Sequence, residues 1–287
     1  MKKTALIVLM IAILAAGFSC AKKSQVKGVD IGVEFSEKNL TDNLMTDVFY
    51  TWKTSSEFEK LDQDYSVFVH FWHGANLLIQ DDYVPEVPTS QWEPNQEYTV
   101  QRRIYIPPFI DEFDPRFRGE ETLRLSVGLH SPYDVAGKSK LEVLNRNYKV
   151  TLPPPDTPEV IYESGWYNLE IEPGSYLKQW RWTEQEARCL IDNPHRDALL
   201  VIRGGVNPEA VKDQRVIFKI NDLVLDEFIP EESHFEKSYP IKKEMLGDGD
   251  EFHLIIATDK TFRPADIIPR SQDDRVLGIQ IGFIYFR

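Results

Sequence analysis

Cysteine is nearly absent from this 287-residue chain, which holds only Cys20 and Cys189. A fold of this length therefore does not rest on disulfides, and its cores must bury enough apolar surface unaided. A basic surplus is also missing. Lys and Arg number 33 against 46 Asp and Glu, for a formal net charge of −13. That balance excludes nucleic acid as a partner, because its phosphates demand basic surface. It also disfavours a peripheral grip on anionic lipid. The longest apolar run, Ala5 to Ala16, is too short to span a bilayer, which takes about 20 residues. The six histidines (His70, His73, His130, His195, His234 and His253) show no zinc-protease spacing. There is no Cys-x-x-Cys, no Gly-x-Ser-x-Gly elbow and no phosphate loop. A sustained helical period is absent throughout.

What is present begins at the N-terminus. Lys2 and Lys3 form a basic head, the apolar run follows, and Gly17-Phe18-Ser19-Cys20 closes the segment. This is the layout of a secretory signal over residues 1–19. Ser19 before Cys20 suits a lipobox, in which the cysteine is diacylated and becomes N-terminal; Gly17 and Phe18 depart from the usual residues there. Cleavage by ordinary signal peptidase just before Cys20 is the alternative. Residues 20–27 read as a tether. By resemblance to the enterobacterial sorting rule, Ala21 directs such a lipoprotein to the outer membrane, facing periplasm or exterior. Cys189 sits in Ala187-Arg188-Cys189-Leu190-Ile191, where alternation gives it the place of a small buried apolar residue.

The body of the chain reads as strand after strand. Val29, Ile31, Val33 and Phe35 alternate with polar residues, as do Val48, Tyr50 and Trp52, and Leu123, Leu125, Val127 and Leu129. The dense run Tyr65–Trp72 suits a strand buried on both faces, and His73-Gly74-Ala75-Asn76 suits a hairpin turn. The proline-rich stretch 153–158 cannot lie inside a sheet and acts as a spacer. Beyond it, Val216–Ile220, Leu223–Phe228, Phe252–Ala257 and Gly278–Phe286 repeat the pattern, with one helical turn at Lys242–Leu246. The expectation is an all-β protein of two tandem antiparallel β-sandwich domains, Ig-like or jelly-roll. These span residues 28–152 and 159–287, the second jelly-roll-like.

Two stretches carry a family resemblance. Asp64–Phe71, followed by Gln80-Asp81-Asp82, Pro85, Pro88-Thr89-Ser90-Gln91-Trp92 and Val127-Gly128-Leu129, resembles a β-sandwich module of bacterial exported and membrane proteins. Such modules include the tails of large glycosyltransferase-like envelope proteins. Arg181-Trp182-Thr183 with Asp273-Asp274-Arg275-Val276-Leu277-Gly278 is similar to a jelly-roll module of envelope-polysaccharide proteins. Together the two cover most of the chain after the signal. No membrane-embedded transferase precedes them here, so the resemblance implies the envelope and glycan context without the enzyme.

Candidate sites follow. Trp72, Trp92, Trp180 and Trp182 could offer rings for stacking on sugar faces, or serve as core and end plugs. Arg181, Asp273, Asp274 and Arg275 suit a structural ion-pair motif, since a bidentate Arg–carboxylate pair is geometrically specific. The clusters Asp111-Glu112-Asp114 and Asp248-Asp250-Glu251 do not by themselves make the spaced carboxylate pair of a glycosidase. No catalytic residue, metal site or cofactor is assigned. Calcium enters only through loop carboxylates, without an EF-hand pattern. The functional expectation is an exported, lipid-anchored envelope protein with a non-catalytic glycan-associated binding role. Its partners are the membrane, through the lipid, and glycan or envelope proteins. The alternative is a structural accessory lipoprotein docking on a larger envelope complex, and a glycan hydrolase ranks last.

Overall fold

The computed structural model describes residues 26–134, 140–172 and 178–287. The signal segment and Cys20 lie outside these residues. Among them the regular structure is almost wholly β, and the fold is all-β, built as sandwiches whose ladders are antiparallel except for one two-residue parallel pairing, Leu40↔Val150 and Thr41↔Thr151.

The first half closes around one core. Strands β1 (Val29–Phe35), β3 (Leu44–Thr54) and β6 (Glu97–Ile106) form a three-stranded sheet in the order β1-β3-β6. Facing it is a five-stranded sheet in the order β2-β8-β7-β4-β5. Its strands are β2 (Leu40–Thr41), β4 (Ser66–His73), β5 (Asn76–Gln80), β7 (Glu120–His130) and β8 (Leu141–Thr151). Period-two alternation explains why these segments form sheet: Val48, Tyr50 and Trp52 point inward from β3, and Leu123, Leu125, Val127 and Leu129 from β7. Burying each such side chain is worth about 1.5–3 kcal/mol.

The second half has its own core. Strand β11 (Gln179–Asp192) organises it by changing partners along its length. Its start pairs with β17 (Gln280–Phe286) through Arg181↔Ile281 and Trp182↔Gln280. Its end pairs with β16 (Glu251–Thr258), from Glu186↔Ala257 to Asp192↔Glu251. One layer continues from β16 to β13 (Val216–Ile220) and β14 (Leu223–Phe228), the other from β17 to β12 (Ala198–Gly205) and β15 (His234–Ile241). Cys189, Ile202, Phe218, Leu254 and Ile281 meet between the layers. Burial pushes the Cys189 thiol up to about 12, so it remains protonated as an apolar filler.

Two short strands, β9 (Val160–Trp166) and β10 (Glu170–Ile171), flank β11. The β9 ladder slips in register at Gly165, whose φ is +75°. A Cβ there would run into the Glu186 carbonyl and Ala187, so the irregularity requires glycine.

The halves touch through β6 and β17. The Tyr105 ring stacks on Phe283 with centroids 4.3 Å apart and meets Tyr285 edge-on at 6.1 Å. The Arg287 guanidinium donates to the Asp42 carbonyl at 3.4 Å and reaches Thr41 Oγ1 at 3.5 Å.

Candidate functional site

Strand β4 is buried on both faces from Val67 to Phe71, and only one face belongs to the core. Val67, Val69 and Phe71 pack inward, while Phe68, His70 and Trp72 stand on the outer side of the five-stranded sheet. The three outer rings form a row: Phe68 and His70 lie 5.3 Å apart, and His70 and Trp72 lie 6.0 Å apart.

Neighbouring strands set what surrounds the row. On β7, Gly128, Ser126 and Arg124 sit opposite Phe68, His70 and Trp72. On β8, Glu142 sits opposite Gly128 and Asn145 opposite Ser126. Gly128 makes room for the Phe68 ring, because a Cβ there would meet Phe68 Cζ at 2.7 Å and Glu142 Cα at 2.8 Å. The Arg124 guanidinium lies 5.7 Å from the Trp72 ring centroid, and Lys140 Nζ lies 5.3 Å from that of Phe68. Ser126 donates to Glu142 Oε2 at 2.8 Å, and Asn145 Nδ2 lies 3.3 Å from the same oxygen. The result is a shallow cleft of about 400 Å³ with an aromatic floor and mixed-charge walls.

His70 Nε2 lies 3.2 Å from Asp82 Oδ1, close enough for an ion pair but not aligned for a hydrogen bond. Asp82 also accepts from the Val69 N–H at 2.8 Å and from Gln80 Nε2 at 2.6 Å. Burial works to raise the Asp82 pKa, but His70, the Val69 N–H and Gln80 outweigh it and hold the carboxyl below its ordinary value. A carboxyl held ionised in this way is unsuited to general-acid work, which needs a raised pKa. What the cleft presents is the Trp72 ring with the polar groups of Arg124, Ser126, Lys140 and Glu142 along it.

The four tryptophans singled out in the sequence occupy different environments. Trp72 lines the cleft and is half-buried. Trp92 is fully buried, stacked on Tyr98 at 5.0 Å and tilted against Trp52 at 5.5 Å, with Nε1 donating to the Val87 carbonyl at 3.1 Å. It plugs the end of the first sandwich and has no face for a sugar. Trp182 is buried edge-on against Phe262, the core position that was the alternative to a stacking ring there. Trp180 is half-buried on β11 opposite Glu170, remote in register from the β4 row.

Of the expected ion-pair motif, Asp273 and Arg275 meet bidentately, with Nε–Oδ1 at 2.9 Å and Nη2–Oδ2 at 2.7 Å. Arg275 Nη1 also bonds Glu170 Oε1 at 2.8 Å, tying the loop before β17 to β10. The Arg275 side-chain bonds hold the Asp273 carboxyl below its usual range. Arg181 and Asp274 do not belong to this motif. Arg181 lies over the Tyr162 ring at 4.8 Å, and Asp274 is exposed. The physical reason is that the Arg181 guanidinium is taken up by the Tyr162 ring and the Tyr167 carbonyl, while Arg275 closes on Asp273 and Glu170.

Phe68, His70, Arg124 and Lys140 were not evident as site residues from sequence. The available signal was the period of two within the run 67–72, which sorts Phe68, His70 and Trp72 onto one side and the aliphatics Val67 and Val69 onto the other.

No protein-family model and no curated sequence matches the chain. Among solved structures it is similar to red sea bream transglutaminase at 8% identity, covering 82% of this chain and 30% of that one, with a TM-score of 0.26. The mosquito-larvicidal Cry4Aa toxin of Bacillus thuringiensis aligns at 8% identity over 92% of this chain and 53% of its own, with a TM-score of 0.27. The chain thus spans about a third and about half of these two proteins. A carbohydrate-binding module of the β-sandwich superfamily aligns at 11% identity over 91% of this chain and 96% of its own, with a TM-score of 0.19. None of these likenesses bears on the function of this chain.

Proposed function

We propose that this protein is a non-catalytic glycan-binding protein, with the outer face of the five-stranded sheet as its binding surface. The observation that carries the reading is the Phe68–His70–Trp72 row turned away from the core, beside Arg124, Ser126, Lys140 and Glu142. Aromatic rings match the apolar faces of pyranoses, and the surrounding donors and acceptors match their hydroxyls. Phe68 and His70 are themselves buried beneath neighbouring side chains, so the ring open to a ligand is the half-buried Trp72, with Arg124 beside it and Ser126, Lys140 and Glu142 along the same cleft.

The test is calorimetry on the full chain purified in detergent, against oligosaccharides selected on a glycan array. Trp72→Ala is expected to weaken binding at least tenfold, about 1.4 kcal/mol, with the fold retained by circular dichroism. Unchanged affinity in that variant, or an array with no bound glycan, would overturn the reading.

The same proposal places the protein at the bacterial envelope, held by lipid on Cys20. Its support is the basic head, apolar run and Ser19-Cys20 junction. Palmitate labelling in a bacterial host is expected to mark the wild type and to vanish in Cys20→Ala. Equal labelling of both would remove the anchor.

A further inference from the structure

We infer a second binding site, in the groove between the two sandwiches, that takes a carboxylate-bearing saccharide such as a uronate oligomer. The groove encloses about 940 Å³, well over twice the volume of the cleft on the outer sheet face, and the two linings share no residue. Binding in the groove is independent of the Trp72 face.

Arg181 on β11 is the anchor of the proposed site. Its guanidinium lies over Tyr162, and among the described residues its one direct hydrogen bond is Nη1 to the Tyr167 carbonyl, long at 3.4 Å. No carboxylate stands within ion-pair distance of it among the described residues, and the remaining segments contain no Asp or Glu. The other arginines of the lining differ. Arg103 pairs with Asp47 at 2.8 Å, and Arg203 pairs with Glu236 at 2.6 Å. Arg181 is thus a half-buried cation with its fork unfilled, set in a concavity. A guanidinium fork matches a planar carboxylate bidentately.

The rest of the lining narrows the ligand from any anion to a sugar acid. Tyr105, Tyr162 and Phe283 supply ring surface, with Tyr105 and Phe283 already stacked across the junction. Asp81 and Asp82 are engaged by Arg102 and by Gln80 and His70, whereas Glu159 is exposed at the groove. A simple anion would meet Glu159 as a repulsion. A ring bearing both a carboxylate and hydroxyls can give the first to Arg181 and donate from the second to Glu159. The net charge of −13 opposes general capture of polyanions, so binding has to come from local geometry.

The test titrates tetragalacturonate, its methyl ester and a sulfated oligosaccharide of equal length into the full chain in detergent. Wild type is expected to bind tetragalacturonate, and Arg181→Gln to weaken it about tenfold or more. The methyl ester should bind as weakly to wild type as the acid does to the variant. Arg181→Lys, which keeps the charge and a cation over Tyr162, should fall between and serves if the glutamine variant misfolds. Absence of binding to wild type, equal binding by Arg181→Gln, equal binding of the ester, or preference for the sulfated probe would each overturn the proposal. Binding lost in Trp72→Ala and kept in Arg181→Gln would move the uronate to the sheet face and overturn it too.

Discussion

Trp92→Ala is expected to lower stability by about 3–5 kcal/mol, a large part of the 5–15 kcal/mol that holds a typical domain together. The side chain is fully buried between Trp52 and Tyr98, and its indole N–H is the donor for the Val87 carbonyl. Truncation opens a cavity, ends both ring contacts and strands a carbonyl. Collapse is restricted because Trp52 is itself fixed through Nε1 to the Tyr83 hydroxyl at 2.9 Å. Guanidinium unfolding followed by circular dichroism measures the change. Trp92→Phe, which keeps a ring, should lose markedly less. A loss under about 1 kcal/mol for the alanine variant would mean that the plug is not part of the cooperative core. The contrast with Trp72 is informative: alanine at 92 should act on stability and alanine at 72 on ligand affinity.

Gly128→Ala is expected to cost about 1–3 kcal/mol and to weaken glycan binding together with it. The new methyl would run into the Leu141 carbonyl, Phe68 Cζ and Glu142 Cα, two of which are backbone that cannot rotate away. Either the β7–β8 ladder spreads at its register shift between Val127 and Gly128, or Phe68 leaves its place in the row. Both outcomes alter the cleft floor. Gly32→Ala on β1 is the control, since its Cβ would find its nearest neighbour at 3.9 Å. Thermal melts and calorimetry on the two variants decide the matter. Equal behaviour would show that the close approach at 128 is relieved at no cost.

Much of the fold was legible because alternation reports burial directly. The inward sets of β3 and β7, the hairpin at His73 and the helical turn near Leu246 all follow from local pattern, whereas a second helical turn at Pro264–Ile267 does not. Strands β9, β10 and β15 were not legible. β9 and β10 flank β11, where exposed residues blur the period of two, whereas edge strand β15 keeps its alternation but places Lys237 on the inward side and Pro240 near its end. The partner change within β11 is invisible locally as well, because pairing is a property of two segments. The same limit applied to the site. Residue type marked all four tryptophans alike, but it is the neighbours that separate Trp92 between two rings from Trp72 beneath Arg124. The pairing of Arg275 with Glu170 joins residues far apart in sequence, and nothing near Arg275 announces it.

The partner change along β11 also has a consequence in time. Arg181 waits for Ile281 and Arg188 for Ile255, so each ladder closes only after a long intervening chain has been searched. Closing such loops precedes any gain from burial, and topologies rich in these contacts fold in milliseconds to seconds. Ile279, Ile281, Ile284 and Phe286 belong to the second core, which cannot be completed before β17 arrives. A chain emerging N-terminus first, as from the ribosome, would therefore carry its second half without a finished core until that strand emerged.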